Sequence, residues 1–169
     1  MSVELIPMTR ELFHELFRGF QYDPALFADS ALFESVSKKP YSREDTDARW
    51  DKRISKPDAL TFAVMLDGRI IGEVVLKAID RINKRCELGI HLINDSVKGF
   101  GYGTQAERLA IEYAFNGLGM EEVLADTILK NTRSQHIIEK LGFERVCEKN
   151  GFIFYKLGKD NYYADSSDR

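Results

Sequence analysis

"VKGFGYGTQAERL", residues 97–109, sets glycines at positions 99, 101 and 103, directly before an amphipathic run. Glycine at that density marks backbone that must turn tightly or come close to a ligand. A Walker A loop would need Gly-Lys-Ser/Thr, but Gly103 is followed at once by Thr104, and Lys98 lies ahead of the glycines. Gly101 to Ala106 does satisfy G-x-G-x-x-A. A dinucleotide fingerprint belongs in the first strand-to-helix turn, however, and here several strand-like runs come first, with "NDSVK" between the last of them and the glycines. The third reading is a loop whose converging N–H groups hold a pyrophosphate. The partial positive charge of the following helix and the Lys98 ammonium would support it.

Outward from the loop, the chain alternates helix-like and strand-like texture. "VELIPM" (3–8) reads as a strand, with Thr9 a cap for a helix over 11–20. A helix is expected over 23–39, with Pro24 near its start, and another over 42–54 behind the Ser42 cap. Residues 59–79 form two apolar runs joined by Asp67-Gly68, a hairpin signal, and 84–94 is a third strand. After the loop come an amphipathic helix, a strand at 121–129 and a short helix opened by Asn131 or Thr132. A hairpin turning at Asn150-Gly151 comes next, then a tail expected to fray. This order predicts a single α/β domain with a mixed, mostly antiparallel twisted sheet flanked by helices. It divides into residues 1–57, a strand with an acceptor-side helical segment, a core at 58–157, and a tail at 158–169.

Composition narrows the class. The 169 residues are 44% hydrophobic and 30% charged, as in globular domains. A net charge of −3 argues against general nucleic-acid binding, and no apolar run is long enough to span a membrane. No signal-peptide pattern opens the chain, and Cys86 and Cys147 make no disulfide framework. A cytoplasmic location is expected. His14, His91 and His136 have no metal-ligand spacing.

"ELGIHLINDSVKGFGYGTQAERLAIEYAF" followed by "VLADTILKNTRSQHIIEKLGFERV" resembles the GNAT superfamily of N-acetyltransferases. The family's loop pattern, Gln/Arg-x-x-Gly-x-Gly/Ala, reads here from Lys98 to Gly103, with Lys98 in the first place. The likeness covers residues 59 to 157; residues 9 to 56 match only in helical character. Ser134 and the "KLGF" ending look most similar to the branch that acetylates protein N-termini, ribosomal proteins among them. The resemblance implies the GNAT fold and acetyl-CoA as cosubstrate. The pyrophosphate would be held by Lys98, Gly99, Phe100, Gly101, Tyr102, Gly103 and Thr104. The pantetheine arm would lie along the backbone of His91, Leu92 and Ile93 and be held by Asn131. It implies acetyl transfer to a primary amine: a protein N-terminus, a polyamine or a small molecule. The competing reading is a CoA-binding or regulatory module without transfer, since Ile138 stands where many relatives carry a tyrosine acid.

Direct transfer needs a neutral amine. At pH 7 deprotonation costs about 4.6 kcal/mol for a lysine-like amine and about 1 kcal/mol for an α-amino group, so a base matters most for side-chain amines. Glu87 is the expected base by resemblance, as an interior glutamate on the strand ahead of the loop; the competing reading is a cross-sheet pair with Lys or Arg. Ser134 is the expected donor to the departing sulfur, or else a helix-turn cap. The imidazole of His91 is read as an ordinary strand side chain. Trp50, Tyr41 and Tyr155 are read chiefly as packing residues. The final hairpin leaves an edge strand open to pairing in a homodimer.

Overall fold

The computed structural model describes residues 2–166, with side chains through residue 164. Its seven strands are β1 (Glu4–Pro7), β2 (Leu60–Leu66), β3 (Arg69–Asp80), β4 (Arg85–Leu92), β5 (Glu122–Ile128), β6 (Glu144–Lys149) and β7 (Phe152–Gly158). They form one sheet in the order β1-β2-β3-β4-β5-β7-β6. Among the described residues every pairing is antiparallel except β4 with β5. Both hairpin turns occur where expected. Asp67 and Gly68 have φ of 48° and 75°, and Asn150 and Gly151 have 53° and 80°, the paired left-handed conformation of a type I′ turn.

The helices are α1 (Arg10–Gly19), α2 (Ser30–Ser37), α3 (Arg43–Ile54), α4 (Tyr102–Glu112), α5 (Thr132–Lys140) and α6 (Lys159–Ser166). The single helix expected over 23–39 is divided. Asp23 accepts from Ala25 N and caps a short 3-10 turn, Pro24–Leu26, and Asp29 then caps α2 by accepting from Ala31 N and Leu32 N. Two caps within seven positions start two elements, because each satisfies N–H groups that a continuous helix would have bonded itself. The tail also departs from expectation. Residues 159–166 are helical, and Tyr162 and Tyr163 pack on Phe115 at centroid distances of 5.8 and 6.3 Å. Positions 167–169 lie outside the described residues.

Two apolar clusters cover the two faces of the sheet. The larger contains Leu76, Leu88, Ala110, Phe115, Val123 and Tyr155, and buries the inner face of α4. The smaller contains Phe13, Leu16, Ala63 and Ile70 beneath α1, with Trp50 packed against it. Burying each large side chain stabilises the fold by about 1.5–3 kcal/mol. Alternation along β4 sorts its side chains between the two faces. Cys86 and Leu88 are buried in the larger cluster, whereas Glu87, Gly89 and His91 project from the opposite face.

Candidate active site

β4 pairs with β5 only at Arg85–Glu87 against Glu122–Leu124, although β4 runs on to Leu92 and β5 to Ile128. Beyond Glu87 the two strands diverge and leave a slot in the middle of the sheet. A cavity of ≈ 310 Å³ fills that opening and is lined by His91, Leu92, Lys98, Gly99, Gly101, Gly103, Thr104, Asn131 and Ser134, among others. Gly99 and Gly101 have φ of 86° and 82°, the left-handed region that favours glycine. α4 opens at Gly101 with no side-chain cap, so the N–H groups of its first turn are left for an anion.

The other predicted contacts divide. Asn131 caps α5 by accepting from Ser134 N at 3.1 Å. That bond uses its Oδ1, and its Nδ2 has no partner among the described residues, nor has the Ser134 hydroxyl. Lys98 is in the groove but is already paired, with Asp23 at 2.5 Å and Asp95 at 2.8 Å. Burial pushes its pKa down, but these two carboxylates outweigh that and raise it. Ile93 does not lie along the slot with free backbone. Its N–H donates to Ile71 O and its carbonyl accepts from Gln21 N, both at 2.8 Å, so both of its backbone hydrogen-bonding groups are used within the protein. Phe100 and Tyr102 stack on each other at 5.8 Å and their side chains do not line the cavity; Phe100 is 66% exposed.

A second cavity of ≈ 550 Å³ lies on the other side of β4, under α1 and α3. Phe13, Phe17, Phe20, Tyr22 and Phe27 give it aromatic walls, and Arg49, Lys52, Arg53, Lys56 and Lys77 surround it with positive charge. Leu26 and His91 line both cavities. His91, whose imidazole was expected to be incidental, therefore borders both spaces.

The expected interior position of Glu87 is corrected. Its carboxylate is 38% exposed, pairs with Lys77 at 3.2 Å, and lines neither cavity. The cross-strand register sets Lys77 opposite Glu87, and directly opposed neighbours on one face of a ladder meet. The buried carboxylate of this face is Glu73, opposite His91 in the same ladder and 3% exposed. It is bonded by Arg53, and its Oε1 is 3.5 Å from His91 Nδ1. Burial alone would raise the Glu73 pKa, but His91 and Arg53 together hold it below the ordinary carboxylate value. Glu73 was not foreseen because it sits within an apolar run, "IIGEVVL", and its partners are distant in sequence.

The remaining candidates are structural. Tyr155 is buried and donates to Glu139 at 3.2 Å, Trp50 packs on Phe13 at 5.4 Å, and Tyr41 bonds His14 at 2.7 Å. Burial, and then the neighbouring Glu87, push the Cys86 thiol up to about 11, so it is inert. Among the described residues no cluster could hold a metal ion, and no helix is long and apolar enough to cross a membrane.

The parallel pair splays beyond Glu87, an uncapped helix follows left-handed glycines, and two cavities flank the same strand. The family model for the acetyltransferase (GNAT) domain matches residues 3–144, and the chain belongs to that family. It is an N-acetyltransferase with acetyl-CoA as the acetyl donor. It is 29% identical over 143 residues to the spermidine N(1)-acetyltransferase of Escherichia coli (strain K12), covering 84% of this chain and 73% of that one. It is 27% identical over 110 residues to Bacillus subtilis (strain 168) YdaF, named for ribosomal N-acetylation, covering 65% and 60%. The Vibrio cholerae spermidine N-acetyltransferase solved with CoA and spermine shares the fold, with a TM-score of 0.72, 20% identity and coverage of 96% and 98%.

Proposed function

We propose that the chain acetylates a primary amine bound in the larger cavity, with His91 as general base and Glu73 as its positioning residue. The observation that carries this is the place of His91, lining both cavities with the buried Glu73 carboxylate 3.5 Å from its Nδ1. That distance exceeds a formed hydrogen bond, as catalytic contacts often do before substrates arrive. A carboxylate beside Nδ1 favours the tautomer with the proton there and leaves the Nε2 lone pair to accept a proton from the amine. Arg53 keeps Glu73 charged, so the carboxylate stabilises the imidazolium that results.

The cosubstrate supplies an acetyl thioester whose carbonyl carbon accepts the amine as the thiolate leaves. On this reading the N–H groups of Gly99 to Thr104 and the Lys98 ammonium hold its pyrophosphate. Asn131 Nδ2 binds the pantetheine beside the backbone of His91 and Leu92, and the Ser134 hydroxyl donates to the sulfur. Residues 1–57 form the acceptor side, residues 58–157 the donor-binding core and residues 158–169 the tail. The free thiols Cys86 and Cys147 support a cytoplasmic place. β6, exposed along its whole length at the sheet edge, supports pairing with a second copy.

The test is the pH–rate profile of His91→Gln, read as thiol release from acetyl-CoA. A general base contributes about 10²–10⁴-fold. The variant should lose that much kcat/KM and keep its affinity for CoA. An unchanged profile would place the base elsewhere. CoA binding without release for any amine would leave only a CoA-binding module.

A further inference from the structure

The larger cavity carries more charge than acetyl transfer by itself requires. Arg49, Lys52, Arg53 and Lys56 recur at helical spacing, so α3 and the residues just after it present four cations to one cavity, with Lys77 from β3 opposite. Glu73 is the carboxylate in its lining, and it is already bonded by Arg53. Glu87 reaches Lys77 from outside. Arg49 donates to the Tyr22 hydroxyl at 3.0 Å and lies over the Phe17 ring. Among the described residues no carboxylate pairs with Arg49, Lys52 or Lys56.

From this we propose that the acceptor is a small-molecule primary amine carrying an anionic group on an apolar body, and not a polyamine. The inference rests on the acetyl-transfer reading and specifies its substrate. Three features support it. A polyamine brings several positive charges to a space already ringed by them, which costs Coulomb energy in a partly desolvated site. A carboxylate instead gains charge-assisted hydrogen bonds from Arg49, Lys52 and Lys56, which no carboxylate pairs among the described residues. The aromatic walls suit an apolar body, and ≈ 550 Å³ is small-molecule size. The same cations serve the chemistry, because positive charge near an ammonium favours its neutral form, the form that attacks. The phosphates of the cosubstrate do not account for these cations, since the glycine loop and the α4 terminus lie in the other cavity.

The experiment compares each free L-amino acid with its carboxamide, together with spermidine and spermine, as acceptors for the purified chain with acetyl-CoA. The carboxamide loses its ammonium proton more readily than the acid, so chemistry alone favours the amide and a preference for the acid reports the pocket. The best-used side chain should show at least about a tenfold higher kcat/KM as the acid, and the advantage should shrink with added salt. In Lys52→Glu/Lys56→Glu the acid-to-amide ratio should collapse toward one. Spermidine outperforming every acid, or an acid-to-amide ratio near one in the unaltered chain, would overturn the charge assignment while leaving acetyl transfer intact. Failure of every amine to release thiol while CoA binds would instead overturn the acetyl-transfer reading, and this inference with it.

Discussion

Lys98 Nζ lies 2.5 Å from Asp23 Oδ2, so the glycine loop is tied to the cap of the 3-10 turn Pro24–Leu26 across the smaller cavity that both residues line. Both side chains are largely covered, at 15% and 24% exposure, and Asp23 also accepts from Ala25 N. A phosphate in the groove must compete with Asp23 for the same ammonium. Asp23→Asn should therefore tighten CoA binding about threefold to tenfold at low ionic strength, with the gain fading as salt rises. Calorimetry with CoA at two salt concentrations measures it, and weaker binding would show that Asp23 helps shape the groove.

Gly101 holds φ at 82° with nothing near the position of an added Cβ, so the demand there is conformational and not spatial. A β-branched residue strongly disfavours that region. Gly101→Val should keep its circular dichroism and lose CoA affinity by about tenfold or more. Undiminished binding would remove the phosphate role from this turn.

The two glutamates of β3 and β4 should behave in opposite ways. Glu87→Gln breaks an exposed cross-strand pair with Lys77, and exposed pairs contribute about 0–1 kcal/mol, so kcat/KM should stay within about threefold of the parent. Glu73→Gln removes the charge beside His91 Nδ1 and leaves Arg53 without its carboxylate. It should lower kcat more than it alters CoA affinity and should shift the pH–rate profile. The reverse pattern would restore Glu87 as the base.

Glu107 sits on α4 with 6% exposure, lines the donor groove, and has an Oε2 without a partner. Burial pushes its carboxyl up to about 8, so the folded chain keeps a proton that the unfolded chain releases near 4.5. The folded state then binds more protons between those two values, and this residue makes stability fall as pH rises through that window. Glu107→Gln should abolish that contribution. Its melting temperature, compared with the parent, should be raised most at pH 8 and least at pH 4. Equal differences at the two pH values would show that the carboxyl ionises normally.

The hairpin turns, the Thr9 and Ser42 caps and the glycine loop were legible in the chain, because each depends on neighbours a few positions away. The division of 23–39 was also present, in Asp23 and Asp29, but helical periodicity masked it. The four cations of 49–56 recur at i, i+3, i+4 and i+7, a pattern readable as one helix face whose significance depends on what that face covers.

What the sequence by itself determined is the strand order along the chain, the α/β class and the glycine turn ahead of α4, since local dihedral preference and apolar period specify these. What only the tertiary structure decided is the larger cavity and which charged side chains face it. Pairing β3 with β4 set Glu73 against His91 and turned Glu87 outward to Lys77. Folding α3 over the same face then gathered charges that in the chain read only as an ordinary polar helix. Pairwise electrostatics and burial act through space, so these assignments had to wait until the strands were in register.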